Sequence, residues 1–157
     1  MKERPILFSA PMVCAILEGR KTQTRRVVKP QPNRGSELTR MQDGYADGFI
    51  RAVFAQDDEP NAYGIKCPFG ERGDRLLAGN GITLEITSVR VDRLQYISDF
   101  DAYQEGAPSK AGTITGPYCM SYKEGFRALW ESIHGPGSWG ANPWVWVLEF
   151  KRVEGEK

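Results

Sequence analysis

Asn80-Gly81 lies between two strand-like runs, and no other feature limits the fold as tightly. Leu76-Leu77-Ala78 leads into Gly79-Asn80-Gly81, and Ile82-Thr83-Leu84-Glu85-Ile86 follows. An Asn-Gly pair accepts the positive φ of a tight hairpin turn, so the two runs are expected to pair antiparallel. The second run alternates, with Ile82, Leu84 and Ile86 on one face and Thr83, Glu85 and Thr87 on the other. Val89 and Val91 continue it after a phase shift at Ser88, which predicts a bulge. Gly73-Asp74 ahead of Arg75-Leu76 reads as the turn that delivers the chain into the first of these strands.

Further strands are expected at Pro5–Phe8, Thr24–Val28, Gly48–Phe54, Tyr63–Lys66 and Trp144–Phe150. The last puts Trp144 and Trp146 on one face. Three helices complete the pattern. Ser9 caps the first, with Pro11 in its first turn, Met12, Val13, Ile16 and Leu17 at helical spacing, and Gly19 just past its end. Cys14 falls within this apolar helix and is expected in the core. Ser98 caps a short second helix that Gly106 closes, with Asp101 at the capping-box position. Ser121–His134 is amphipathic, with Phe126, Leu129, Trp130 and Ile133 on one stripe, and Gly135-Pro136-Gly137 breaks it. Residues 29–46 and 107–117 read as loops, 56–61 as an acidic turn, and 155–157 as a fraying end.

Strands interrupted by three helices, without βαβ alternation, favour an α+β domain on a small, mostly antiparallel barrel. At 157 residues, with no internal repeat or linker, a single domain over 1–157 is expected. Lys plus Arg number 21 against 20 for Asp plus Glu, a net charge of +1, which excludes coating of nucleic acid by bulk charge and leaves room for a local basic patch. Three dispersed cysteines and one histidine give no metal-ligand spacing and no disulfide framework, so no metal or other cofactor is expected, and a reducing cytoplasm fits. No apolar run approaches the roughly 20 residues of a membrane helix, and Met1-Lys2-Glu3-Arg4-Pro5 lacks the core of a signal peptide.

The chemistry concentrates in Gly19-Arg20-Lys21-Thr22-Gln23-Thr24-Arg25-Arg26, four cations and two hydroxyls in eight residues. Basic residues at a helix C-terminus followed by a Thr-rich strand explain it without any function. Alternatively, Thr22, Thr24 and Arg26 share a strand face beside Lys21 and suit a phosphate, a nucleobase carbonyl or an oxyanion. Asp99, Asp101 and Glu105 form either a solvated acidic face or a supply of one general acid/base, Glu105, near the helix end. The tryptophans at 130, 139, 144 and 146 are core residues by default, and one or two could offer a stacking surface.

These residues resemble the ASCH family, a branch of the PUA-like β-barrel superfamily. The Gly-Arg-Lys-Thr-x-Thr-x-Arg pattern of Gly19–Arg26 after a short helix is similar to its signature. The surrounding marks look like the phage and prophage version: Pro5–Ser9 with Met12-Val13, Gly73–Leu76, Ile82–Ile86, Asp101–Gly106, Phe126–Trp130 and Asn142–Val147. The resemblance implies a PUA-like barrel, RNA or a modified nucleoside as partner, and the bacterial host cytoplasm as location. Small bacterial ASCH proteins of the YqfB type hydrolyse N(4)-acetylcytidine to cytidine and acetate. By motif their catalytic set falls on Lys21, Thr24 and Glu105, with Arg20, Thr22, Arg25, Arg26 and Trp144 as candidates for substrate or nucleic-acid contact. A base at Lys21 requires a pKa lowered by burial or by neighbouring arginines. One departure stands out: relatives continue Gly-Asp-Arg-Leu with Trp-Val-Arg-Glu-Thr-Trp and a long insert, where Leu77–Gly81 closes the gap directly. Two readings of another class stay open: a non-catalytic nucleic-acid-binding module, and a phage accessory protein that binds a host protein through 29–46.

Overall fold

The computed structural model describes residues 2–56, 62–79, 81–107 and 122–153. Its elements are β1 (Glu3–Pro5), α1 (Ala10–Leu17), β2 (Gln23–Val27), β3 (Glu37–Gln42), β4 (Arg51–Ala55), β5 (Tyr63–Lys66), β6 (Arg75–Gly79), β7 (Ile82–Arg93), α2 (Asp99–Gln104), α3 (Tyr122–His134) and β8 (Trp144–Val153). A five-stranded sheet runs β1-β6-β7-β8-β2, and a three-stranded sheet runs β3-β4-β5. Every pairing is antiparallel except β1 with β6. The arrangement is α+β with three helices, as the pattern of elements implies.

β6 and β7 pair as the expected antiparallel hairpin, with Leu76 opposite Leu84, while Asn80 itself lies outside the described residues. Along β7 the partner of Ile86 is Phe150 and that of Ser88 is Glu149, so Thr87 is the extra residue of a bulge. The bulge lets a 12-residue strand keep one apolar face despite its change of phase.

β8 divides the interior. Trp144, Trp146, Leu148 and Phe150 face a core shared by both sheets, which includes Phe54, Leu76, Leu84 and Ile86. Val145 and Val147 face a second core with Ala102, Phe126, Trp130 and Trp139, under α2 and α3. Period-2 alternation of large and small apolar residues thus serves two layers at once. All four tryptophans are buried.

Three expectations change. The segment 29–46 contains β3, paired to β4. Leu38 and Met41 both pack on the main core although three residues apart, because the register shifts between Leu38 and Arg40; that bulge hides the alternation from the sequence. The first strand lies at Glu3–Pro5 rather than Pro5–Phe8. Asp74 fixes it there by accepting from the Lys2 N–H at 3.1 Å and from Arg4 Nη1 at 2.7 Å. Pro5 is tolerated because β1 is an edge strand. Cys14 is exposed, not core. At about 100° per residue it lies about 200° around α1 from the buried Ile16. Cys119, most of 107–117, residues 57–61 of the acidic turn and the C-terminal 154–157 lie outside the described residues. No helix among the described residues is long and apolar enough to cross a membrane.

Candidate functional site

The turn after α1 sends Lys21 inward. Gly19 takes φ +79°, and the N–H groups of Arg20 and Lys21 both donate to the Ala15 carbonyl at 2.9 and 3.1 Å. The chain therefore folds back against its own helix end. Thr22 then ties three elements: its N–H donates to Gln104 O at 2.7 Å, and its carbonyl accepts from Phe150 N–H at 3.0 Å.

Glu105 arrives from the other side. Ser98 Oγ accepts from Asp101 N–H at 3.0 Å and starts α2, and Gly106 at φ +82° ends it. Gly106 also passes close to Lys21: a Cβ there would stand 3.1 Å from Ala15 Cβ and 3.2 Å from Lys21 Cβ. Glycine at this position lets the helix end approach the lysine.

The result is a buried ion cluster. Lys21 Nζ donates to Gln23 O at 2.7 Å, to Glu105 O at 2.9 Å and to Glu105 Oε1 at 3.1 Å. Arg25 Nη1 donates to Glu105 Oε2 at 3.3 Å and to Gln23 Oε1 at 2.8 Å. Arg25 Nη2 reaches Asp101 Oδ2 at 3.5 Å, which Arg90 Nη2 also reaches at 3.4 Å. The side chains of Lys21, Arg25 and Glu105 are only 1%, 2% and 4% exposed. Burial lowers the Lys21 pKa, and Arg26 and Arg25 lower it further, while Glu105 pulls it back up. A solvated acidic face is therefore not what α2 presents: Glu105 is buried, Asp101 is shared by two arginines, and Asp99 Oδ1 accepts from the Lys123 N–H at 2.9 Å near the start of α3.

Thr24, Arg25, Arg26 and Val27, from both faces of β2, line a cavity of about 530 Å³, within the range that takes a small-molecule ligand. Thr24, Arg26 and Glu105 stand on one wall, and Phe126, Trp130 and His134 of α3 on the other. Arg26 Nε donates to Thr24 Oγ1 at 3.2 Å, Arg26 Nη2 donates to Leu7 O at 2.8 Å, and its guanidinium lies 5.0 Å from the Phe8 ring centre. Burial disfavours the Arg26 charge, partly offset by Glu105. Trp130 and His134 stack, with ring centres 4.0 Å apart.

Lys21, Thr24, Arg25, Arg26 and Glu105 are thus brought together, with Lys21 held by Glu105 rather than on the cavity wall. Arg20 pairs outward with Glu18 at 2.7 Å, and Thr22 acts through its backbone. Trp144 is core: its ring meets Phe54 edge-on at 5.2 Å, Arg93 lies 4.4 Å over it, and it does not line the cavity. The sequence reasoning missed Gln23, Lys29, Phe69 and His134. Gln23 was legible as the period-2 partner of Arg25, and His134 as the i,i+4 partner of Trp130. Among the described residues no group of three or more His, Cys, Asp or Glu is placed to hold a metal ion.

No protein-family model matches the chain, and no curated protein matches it. Solved structures similar to it include the following two. One is an ASCH domain from Lactobacillus crispatus JV V101, at 15% identity and a TM-score of 0.49, covering 96% of this chain and 79% of that one. The other is the hypothetical protein PH0355, at 12% identity and a TM-score of 0.47, covering 98% and 100%.

Proposed function

We propose that this chain binds a modified nucleoside, free or within RNA, in the cavity beside β2. In its sharper form the reading is hydrolysis of the N(4)-acetyl amide of acetylcytidine. The observation that carries it is the placement of the Glu105 carboxylate between two buried cations while it shares a cavity with the Thr24 hydroxyl. The motif resemblance to ASCH proteins independently points to Lys21, Thr24 and Glu105. Phe126 and Trp130 give the far wall the aromatic character that a pyrimidine ring packs against.

In this reading Thr24 Oγ adds to the acetyl carbonyl and its proton passes to Glu105. The Arg26 hydrogen bond occupies a lone pair of Oγ and leaves the hydroxyl proton free to leave. The C–N bond then breaks, Glu105 returns the proton to the exocyclic nitrogen, and cytidine departs. Water, deprotonated by Glu105, adds to the threonyl ester, the C–Oγ bond breaks to give acetate, and Glu105 returns that proton to Thr24 Oγ. The Arg26 Nε–H, which already donates to Thr24 Oγ1, is the cationic donor beside the developing oxyanion. Lys21 is assigned a positioning role: its three ammonium hydrogens already meet three protein acceptors, so it holds Glu105 rather than accepting a proton.

The same contacts favour a second reading, non-catalytic binding, because Thr24 makes no hydrogen bond to Lys21 or Glu105 among the described residues. Chromatographic assay of N(4)-acetylcytidine, alongside calorimetric binding, separates the two. Turnover is expected in the parent and a loss of at least roughly 100-fold in Thr24→Ala and Glu105→Gln. Binding without turnover leaves the non-catalytic module. Absence of binding to acetylcytidine, cytidine and RNA alike defeats both readings.

A further inference from the structure

The cations around the cavity are unequally paired. Glu105 is answered twice over, by Lys21 and Arg25. Arg26 and Lys29, which line the same cavity, make no ion pair among the described residues. Arg26 Nη1, the Lys29 ammonium and the His134 ring likewise make no hydrogen bond among them. Lys29 and His134 are exposed, so this unanswered charge lies at the cavity's rim, whereas Thr24 and Glu105 are buried. The three groups come from two elements: Arg26 and Lys29 from β2 and the chain just after it, His134 from the last turn of α3. A basic residue in a helix's last turn has a helix-dipole explanation. That explanation does not cover two further cations, from β2 and the chain just after it, lining the same cavity.

We infer that the rim of the cavity is a phosphate subsite, in which Arg26, Lys29 and His134 take the phosphate of a nucleotide whose base lies inside. The inference rests on the nucleoside reading above and narrows it to phosphorylated ligands. Arg26 already has two of its nitrogens fixed by Thr24 and Leu7, so its free edge is pre-oriented at little further cost in side-chain entropy. Lys29 adds a mobile point charge. His134, stacked on Trp130, adds a donor whose protonation an arriving dianion favours. Burial first, then Arg26 and Lys29, hold its charge down, and those two cations are the groups such an anion neutralises.

Calorimetric titration at low salt with cytidine, cytidine 5′-monophosphate and the dinucleotide CpC tests this. The monophosphate is expected to bind at least about 10-fold tighter than cytidine, with the ratio shrinking at high salt. Lys29→Ala and His134→Gln should each cut that ratio several-fold. Lys151→Ala, which removes the same charge outside the cavity, should not. CpC binding as tightly as the monophosphate identifies a chain phosphodiester as sufficient; CpC binding like cytidine identifies a terminal monoester. A ratio near 1, or one indifferent to Lys29→Ala, overturns the subsite. If neither cytidine nor the monophosphate binds, the nucleoside reading fails. Broadening of the ³¹P resonance of inorganic phosphate then decides: broadening lost in Lys29→Ala sustains the subsite alone, and none removes it too.

Discussion

Replacing Glu105 by glutamine removes the only negative charge touching both Lys21 and Arg25 within the buried cluster while keeping the side chain's shape. At 3.1 and 3.3 Å, and an effective dielectric of about 20, each contact carries roughly 5 kcal/mol of gross attraction. Much of that offsets the desolvation of three ions, so the measurable loss is the smaller cost of breaking a buried pair, about 3–5 kcal/mol. Gln Oε1 can still accept from Lys21 Nζ, and Asp101 still neutralises Arg25, which places the expectation near the lower figure. The loss should also depend on pH. Burial, Arg26 and Arg25 all depress the Lys21 pKa, and only Glu105 opposes them. In the variant the folded-state pKa falls further below the unfolded value near 10.5. The unfolded state then binds the extra proton over a wider range, and stability rises with pH across it. Urea unfolding at pH 7 and pH 9.5 is the assay, with an unchanged m-value as the sign that only stability moved. A loss under about 1 kcal/mol, or one identical at the two pH values, refutes the picture of Lys21 as a buried cation held by Glu105.

Three further outcomes are expected. Gly106→Ala places a Cβ at φ +82° against Ala15 and Lys21, and should cost about 1–3 kcal/mol in thermal or urea unfolding; a neutral effect would mean α2 is free to withdraw from β2. Burial alone would raise the Asp74 pKa, but Arg4 and the N–H groups of Lys2 and Glu71 hold it below the ordinary carboxylate value of 3.8. Asp74 therefore stabilises fully above that value and loses its contribution as pH falls through the folded pKa. Asp74→Asn should be less stable than the parent at pH 6, with the gap closing on acidification below about pH 4. The Cys67 thiol is pushed up to about 12 by burial, so a Cys14→Ser, Cys119→Ser variant should react with a thiol reagent only at the rate of unfolding, whereas the exposed Cys14 should react in the folded protein.

Some of this was readable from the residues because the cause is local. Asn80-Gly81 fixes a hairpin, Ser98 and Gly106 bracket a helix, and the lost alternation at Ser88 marks a bulge. These need only φ, capping and period. β3 escaped because its bulge separates Leu38 and Met41 by three residues, which breaks the period of a straight strand and imitates one turn of helix. The pairing of Lys21 with Glu105 spans 84 residues, and composition carries no trace of which basic residue turns inward. The motif resemblance named both residues, and the physics that joins them lies in Gly19, Gly106 and the Ala15 carbonyl. The cavity's far wall was legible only as an apolar stripe on a helix, with nothing in Phe126 or Trp130 to say that part of the stripe lines a void.

The two-faced strand β8 has a kinetic consequence. Its backbone bonds to β7 on one side and β2 on the other, and its side chains complete both cores. No local opening frees it without disrupting both layers, so the amides of Val145–Leu148 should exchange with deuterium only through global unfolding. The end of α2 and the turn after α1 meet this strand only from outside its ladder, through the Thr22 backbone, the Gln23 side chain and Ala102, and their amides should exchange sooner, by smaller openings. The floor of the candidate site is then as durable as the whole molecule, while the segment carrying Glu105 can move without unfolding it.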